Sequence, residues 1–307
     1  MRLSGSKPEP SRRPLLAVGL FGLAAGVGAA LLLGKAVRAP PEKAAAAAQG
    51  LMAGSALLAL AVATDSSLEH YRGRFRNRAM FVAPLMSTLT LAAAGQALSG
   101  SPRAQSSTGR LVFAGAMASG TAGLAFHVYN VGKREGGFAW LNLFYAAPLG
   151  APAALGIAGL FGLLGHRFAS GELRILGREA ANLVVPIVAA ALAGTSAEAG
   201  LFHFRGAFQN PIMYAPVTIP PLAAAATALA PVIPAAAGPA RYLLAATGAL
   251  GFAGPLFHAY GVHRNMGGWR NWSQMLLQGP PLPAPIAFIG IAAAGIAVLP
   301  LIEREAA

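Results

Sequence analysis

The sequence predicts an all-α, polytopic integral membrane protein. Three observations carry that prediction: a composition too poor in charge for a water-soluble surface, a succession of apolar runs of bilayer length, and an internal duplication. Hydrophobic residues make up 55% of the 307 residues and charged residues only 11%. Mean hydropathy is +0.57. A soluble fold covers its surface with roughly 25% charged residues. This chain cannot do so, and lipid must solvate much of it.

A hydrocarbon core about 30 Å thick takes about 20 apolar residues in a helix. About nine candidate spans satisfy that requirement. They are Pro14–Ala36, Ala44–Thr64, Ala79–Leu98, Leu111–Val131, Leu141–Gly165, Ala180–Ala197, Pro211–Ala230, Arg241–Val262 and Leu282–Ile302. The seventh is rich in proline. Prolines inside spans are tolerated because neighbouring helices satisfy the freed carbonyls. Small residues crowd the spans, which lets helix backbones approach closely in lipid.

The net charge of +13 does not point to nucleic acid, because the basic residues form short clusters between apolar runs and not one stripe. Arg2, Lys7, Arg12 and Arg13 precede the first run. Ser11-Arg12-Arg13 resembles a twin-arginine export signal, but a basic flank that holds the N-terminus in the cytoplasm is the expected reading. The expected location is therefore the inner membrane, multi-pass, with the N-terminus cytoplasmic. Cysteine is absent, which excludes disulfides, zinc–thiolate sites, iron–sulfur ligation and covalent c-type haem.

The chain repeats itself. Residues 68–84 read LEHYRGRFRNRAMFVAP, and residues 201–216 read LFHFRGAFQNPIMYAP. His70 matches His203, and Arg72 matches Arg205. Gly73, Phe75, Asn77 and Met80 match Gly206, Phe208, Asn210 and Met213. A second block pairs FHVYNVGKREGG at 126–137 with FHAYGVHRNMGG at 257–268. Here His127 matches His258, and Tyr129 matches Tyr260. Trp140 and Trp272 then align, each eight residues before a proline, Pro148 and Pro280.

One period of the repeat holds four spans. The predicted organisation is a basic flank and extra helix in 1–43, a first four-helix repeat in 44–170 and a second in 171–307. An even number of spans makes the two repeats parallel, related by an axis along the membrane normal. All four matched histidines then fall on one membrane face.

The chain has six histidines, and His166 and His263 are expected in loops. The single aspartate, Asp65, lies five residues before His70, and Glu198 lies five before His203. Ionisable groups inside spans are costly and usually have a partner or a role. One chemistry this set supports is bis-histidine ligation of haem b, with His70 and His127 in one unit and His203 and His258 in the other. Gly123 and Gly254, one turn before the second histidine, would leave room for a porphyrin face. Arg72 and Arg205 would pair with propionates.

The other is a quinone site, with Tyr129, Tyr260, Asp65 and Glu198 bonding carbonyls and relaying protons. In architecture alone, tandem four-helix bundles with polar residues at one face resemble the quinone-reactive anchors of polysulfide-reductase-type complexes, whose motif is absent. The spacing for a di-iron carboxylate site fails. No Walker loop, nucleophile elbow or dinucleotide fingerprint occurs. The remaining readings are a small-molecule or lipid transporter with two parallel repeats, and a cofactor-free anchor. The expected partners are the lipid bilayer and a soluble redox subunit at the histidine face. The residues leave open whether the chain is an enzyme.

Overall fold

The structure, a computed structural model, describes residues 42–100, 106–175, 178–265 and 267–302. The expected span Pro14–Ala36 and the Arg12-Arg13 pair lie outside them. Ten helices follow in order: α1 (Glu42–Arg72), α2 (Val82–Leu98), α3 (Ser107–Gly132), α4 (Trp140–Tyr145), α5 (Gly150–Ala169), α6 (Ala180–Arg205), α7 (Ile219–Leu229), α8 (Ala237–Asn265), α9 (Trp272–Leu277) and α10 (Ile286–Ile302). A small antiparallel ladder of β1 (Arg174–Ile175) and β2 (Arg178–Glu179) joins α5 to α6.

Seven helical segments among the described residues are long and apolar enough to cross a membrane, and α10 is a shorter apolar helix of 17 residues. The protein is a multi-pass helical membrane protein.

Two expectations need correction, and a third span, Pro211–Ala230, is kept as a membrane-length segment but begins irregularly. The span placed at Leu141–Gly165 is not one helix. It breaks between α4 and α5, where Ala146 adopts φ −85 and ψ −173; Pro148 disfavours the helical region for Ala147 and has no N–H to give to a continuing helix. The proline-rich span Pro211–Ala230 starts as a 3-10 helix, Pro211–Val217, and becomes α-helical only at Ile219, since Pro216, Pro220 and Pro221 offer no N–H to an α-helical ladder. His166 and His263 are not in loops: they occupy the last turns of α5 and α8. His166 is buried, edge-on to Phe113, and His263 stacks on Trp269 at 4.3 Å.

α1 and α5 are the most buried spans, and α2, α3 and α8 present most of their surface outward. α1 packs on α5 and α10. Lipid is as apolar as the side chains, so helices associate here through close packing and interhelical bonds. Ser55 Oγ donates to Ala158 O at 2.7 Å between α1 and α5. Across α1 and α10, a Cβ on Gly54 would come within 2.7 Å of Gly290 O, and one on Gly290 within 2.9 Å of Gly54 O. These two backbones touch because neither residue has a side chain.

The turns after α1 and α6 have one geometry. Arg74 and Phe75 lie at φ 57 and 44, and Ala207 and Phe208 at φ 56 and 44. Phe75 N donates to His70 O at 3.0 Å, and Phe208 N donates to His203 O at 3.1 Å. Asn77 and Asn210 each accept from the backbone N–H two residues on. A side chain at positive φ is strained relative to glycine by about 1 kcal/mol. Ala207→Gly is therefore expected to raise stability by up to about 1 kcal/mol, visible as a higher unfolding temperature in detergent. A fall would mean that the Ala207 methyl makes a contact that outweighs the strain.

Candidate functional site

The four repeat histidines sit near the C-terminal ends of α1, α3, α6 and α8. Each ring points its Nδ1 at a main-chain carbonyl further along the chain. His203 donates to Met213 O at 2.9 Å, and His258 donates to Pro281 O at 2.9 Å. His70 donates to Met80 O and His127 to Pro148 O. A carbonyl can only accept, so Nδ1 carries a proton, and in the neutral ring Nε2 then presents a lone pair.

The second turn also explains these bonds locally. Proline breaks the helix before α5 and before α10, leaving Pro148 O and Pro281 O without a helical partner. The matched residue is thus Pro281 and not Pro280. The Pro148-Leu149-Gly150-Ala151-Pro152 and Pro281-Leu282-Pro283-Ala284-Pro285 blocks lie 133 residues apart, the same offset as His70 and His203. That third block was legible in the sequence, and it carries two of the four histidine acceptors.

Aromatic rings fix the first histidine of each set. Phe75 lies edge-on to His70 at 6.0 Å and 79°, and Phe208 lies edge-on to His203 at 6.1 Å and 79°. Phe75 stacks on Phe81 at 4.2 Å, and Phe208 stacks on Tyr214 at 4.5 Å. The structure brings His203 and His258 together, with ring centroids 6.3 Å apart and planes at 81°. His127 lies within electrostatic reach of His70.

The room expected over two glycines is filled. A Cβ on Gly123 would meet Pro152 Cβ at 3.2 Å, and one on Gly254 would meet Pro285 Cβ at 2.5 Å. These glycines seat proline rings, so the room that was expected one turn before His127 and His258 is taken up by Pro152 and Pro285.

Arg72 pairs with Glu69 and donates from Nη2 to Gly279 O at 3.4 Å. Arg205 donates to Phe144 O at 3.0 Å and lies over the rings of Tyr145 and Phe202. Each arginine thus reaches the segment that precedes the other half's histidine-bonding proline block, Arg72 at Gly279 and Arg205 at the end of α4. Tyr129 lies under the Lys133 ammonium, and Tyr260 is 56% exposed. Neither tyrosine makes a ring contact with the four histidines among the described residues.

Glu198 accepts from Gly150 N at 2.7 Å. Asp65 lies within electrostatic reach of Glu69, Arg72 and Glu198. Gly136, Gly137, Gly267 and Gly268 all have positive φ and form the tight turns after α3 and α8.

No family model matches the chain, and no curated protein and no solved structure is similar to it.

Proposed function

We propose that this chain is the membrane subunit of an electron-transfer complex, with paired histidines that hold b-type haem at one membrane face. The observation that carries the reading is the Nδ1–H bond each histidine makes to a main-chain carbonyl. Metal-bound histidines characteristically donate their second ring N–H in this way, which fixes the tautomer and aims the other nitrogen. The spacing of one pair supports it. Two histidines that would hold one group must bring their rings together across it. His203 and His258 are 6.3 Å apart.

His203 with His258, and His70 with His127, would hold the group through their Nε2 atoms. The bound group would supply one-electron chemistry. The protein's own part is to fix ring orientation through Met80, Met213, Pro148 and Pro281, and to keep the site dry.

A quinol is the second reading, favoured by the same tautomer. A bare Nε2 accepts a proton, so it suits a quinol hydroxyl and not a quinone carbonyl. Asp65 would carry that proton onward. Transport has less support. Several hydroxyls within the spans bond carbonyls of their own helix, as in Ser87 to Ala83 O, Thr90 to Met86 O and Thr247 to Leu243 O, so these three offer no midplane substrate site of the kind transporters use.

The proposal includes nine spans: the N-terminal helix and two four-helix units related by an axis along the membrane normal. Support comes from the matched turns, the matched histidine acceptors and the two arginines. The histidine face is proposed to be cytoplasmic in the inner membrane, because Arg72, Arg74, Arg76, Arg78, Lys133, Arg134, Arg264 and Arg270 cluster there. A soluble redox subunit would dock on this face, since little chain remains outside the helices.

The test is the visible spectrum of the purified protein, oxidised and then dithionite-reduced. A reduced α-band typical of b-type haem is expected. A colourless protein from haem-sufficient cells would sink the haem reading and leave the quinol reading to be tested by quinol binding.

A further inference from the structure

Asp65 and Glu198 hold matched positions, each five residues before a repeat histidine, yet the fold uses them differently. Glu198 reaches from α6 to the start of α5. Gly150 N donates to its Oε1 at 2.7 Å, and Leu149 N donates to it as well. The first N–H groups of a helix lack helical partners and carry the positive end of its dipole. Glu198 satisfies them. Gly150 must be glycine for this, since a Cβ would run into the Glu198 carboxylate.

The second half cannot repeat the arrangement. The residue matched to Gly150 is Pro283, and proline has no N–H. Asp65 is also one methylene shorter than glutamate. It has no hydrogen bond to any described residue. The charged groups facing it are Glu69 and Arg72 on its own helix and Glu198 on α6. The Arg72 guanidinium is engaged by Glu69 and Gly279 O. The backbone of the duplication therefore offers two carboxyl positions, and only one of them has been built into a helix cap.

We propose that Asp65 is the proton-exchanging carboxyl of this protein, and that Glu198 is a structural cap that exchanges no proton in function. An ionisable group inside a span that the scaffold has not claimed is placed to pass protons. This assignment does not depend on the haem reading. A colourless protein leaves it standing.

The experiment uses the full chain in lipid vesicles and dicyclohexylcarbodiimide. This apolar reagent adds to a protonated carboxyl: the acid oxygen bonds the carbodiimide carbon and the acid proton moves to a carbodiimide nitrogen. Adduct position is mapped by peptide mass spectrometry over a range of pH. The expected result is adduct on Asp65, declining as pH rises, and several-fold less on Glu198. Asp65→Asn should abolish it. Glu198→Gln should leave the Asp65 adduct in place. If that variant does not fold, the wild-type map still decides. Adduct on Glu198 equal to that on Asp65, or none on Asp65, overturns the proposal.

Discussion

His258→Ala is expected to halve the reduced b-type absorbance per protein while leaving a monodisperse particle in detergent. His203 and His258 form one of two proposed ligand pairs, and their rings lie 6.3 Å apart. Removing one ring would leave His203 to hold the group alone, and that pair's share of the group would be lost. The His70–His127 pair belongs to other helices and should keep its share. The replacement leaves only Pro281 O newly unpartnered, a cost of about 1–3 kcal/mol, which a large membrane protein tolerates. Added imidazole should restore the band in His258→Gly, because a free imidazole can occupy the vacated space. His263→Ala is the control. That ring stacks on Trp269 and has no part in either pair, so its loss should not move the band. An unchanged spectrum in His258→Ala would remove His258 from the ligand set.

Gly120→Leu should cost on the order of 3 kcal/mol or more, enough to destroy the folded particle or lower its unfolding temperature sharply. A Cβ at Gly120 would meet the Gly156 backbone nitrogen, with Gly156 Cα and Pro152 O both at 2.7 Å. All three are backbone atoms, which cannot rotate away as a side chain can. α3 and α5 approach through this contact. A Cβ on Gly251 would meet Pro285 O at 2.8 Å and Ile289 N at 2.9 Å, so the same kind of crossing joins α8 to α10. Gly194→Ala is the comparison: nothing lies within 4 Å of a Cβ there. It should be neutral or gain up to about 1 kcal/mol from helix propensity. The two variants are compared by thermal unfolding in one detergent. Equal stability would mean that the crossing of α3 and α5 is looser than the structure has it.

Much of the site was legible along the chain. His70 and His203 were found through the residues that flank them, because those residues build the turn: Gly73 and Gly206 close the helix, and Asn77 and Asn210 cap the next one. The turn is local, so a repeat of sequence repeats its geometry. The histidine acceptors were harder to find. Met80 and Met213 serve through their carbonyls, and a carbonyl leaves no signature in residue type. Pro148 and Pro281 were obscured by the Pro280-Pro281 pair, where a one-residue choice of register decides which oxygen faces His258.

The sequence alone determined the membrane class, since 11% charged residues cannot solvate this chain in water. It also determined the apolar spans and the four histidines, because hydropathy and repetition are properties of order along the chain. Only the tertiary structure decided how matched residues differ. Glu198 caps α5 and Asp65 caps nothing, because Gly150 has an N–H where Pro283 has none. Gly123 and Gly254 seat proline rings from another helix, and Arg72 and Arg205 reach across to loops far away in sequence. Such outcomes depend on which backbone atoms meet between helices, and periodicity within one helix carries no information about its neighbour.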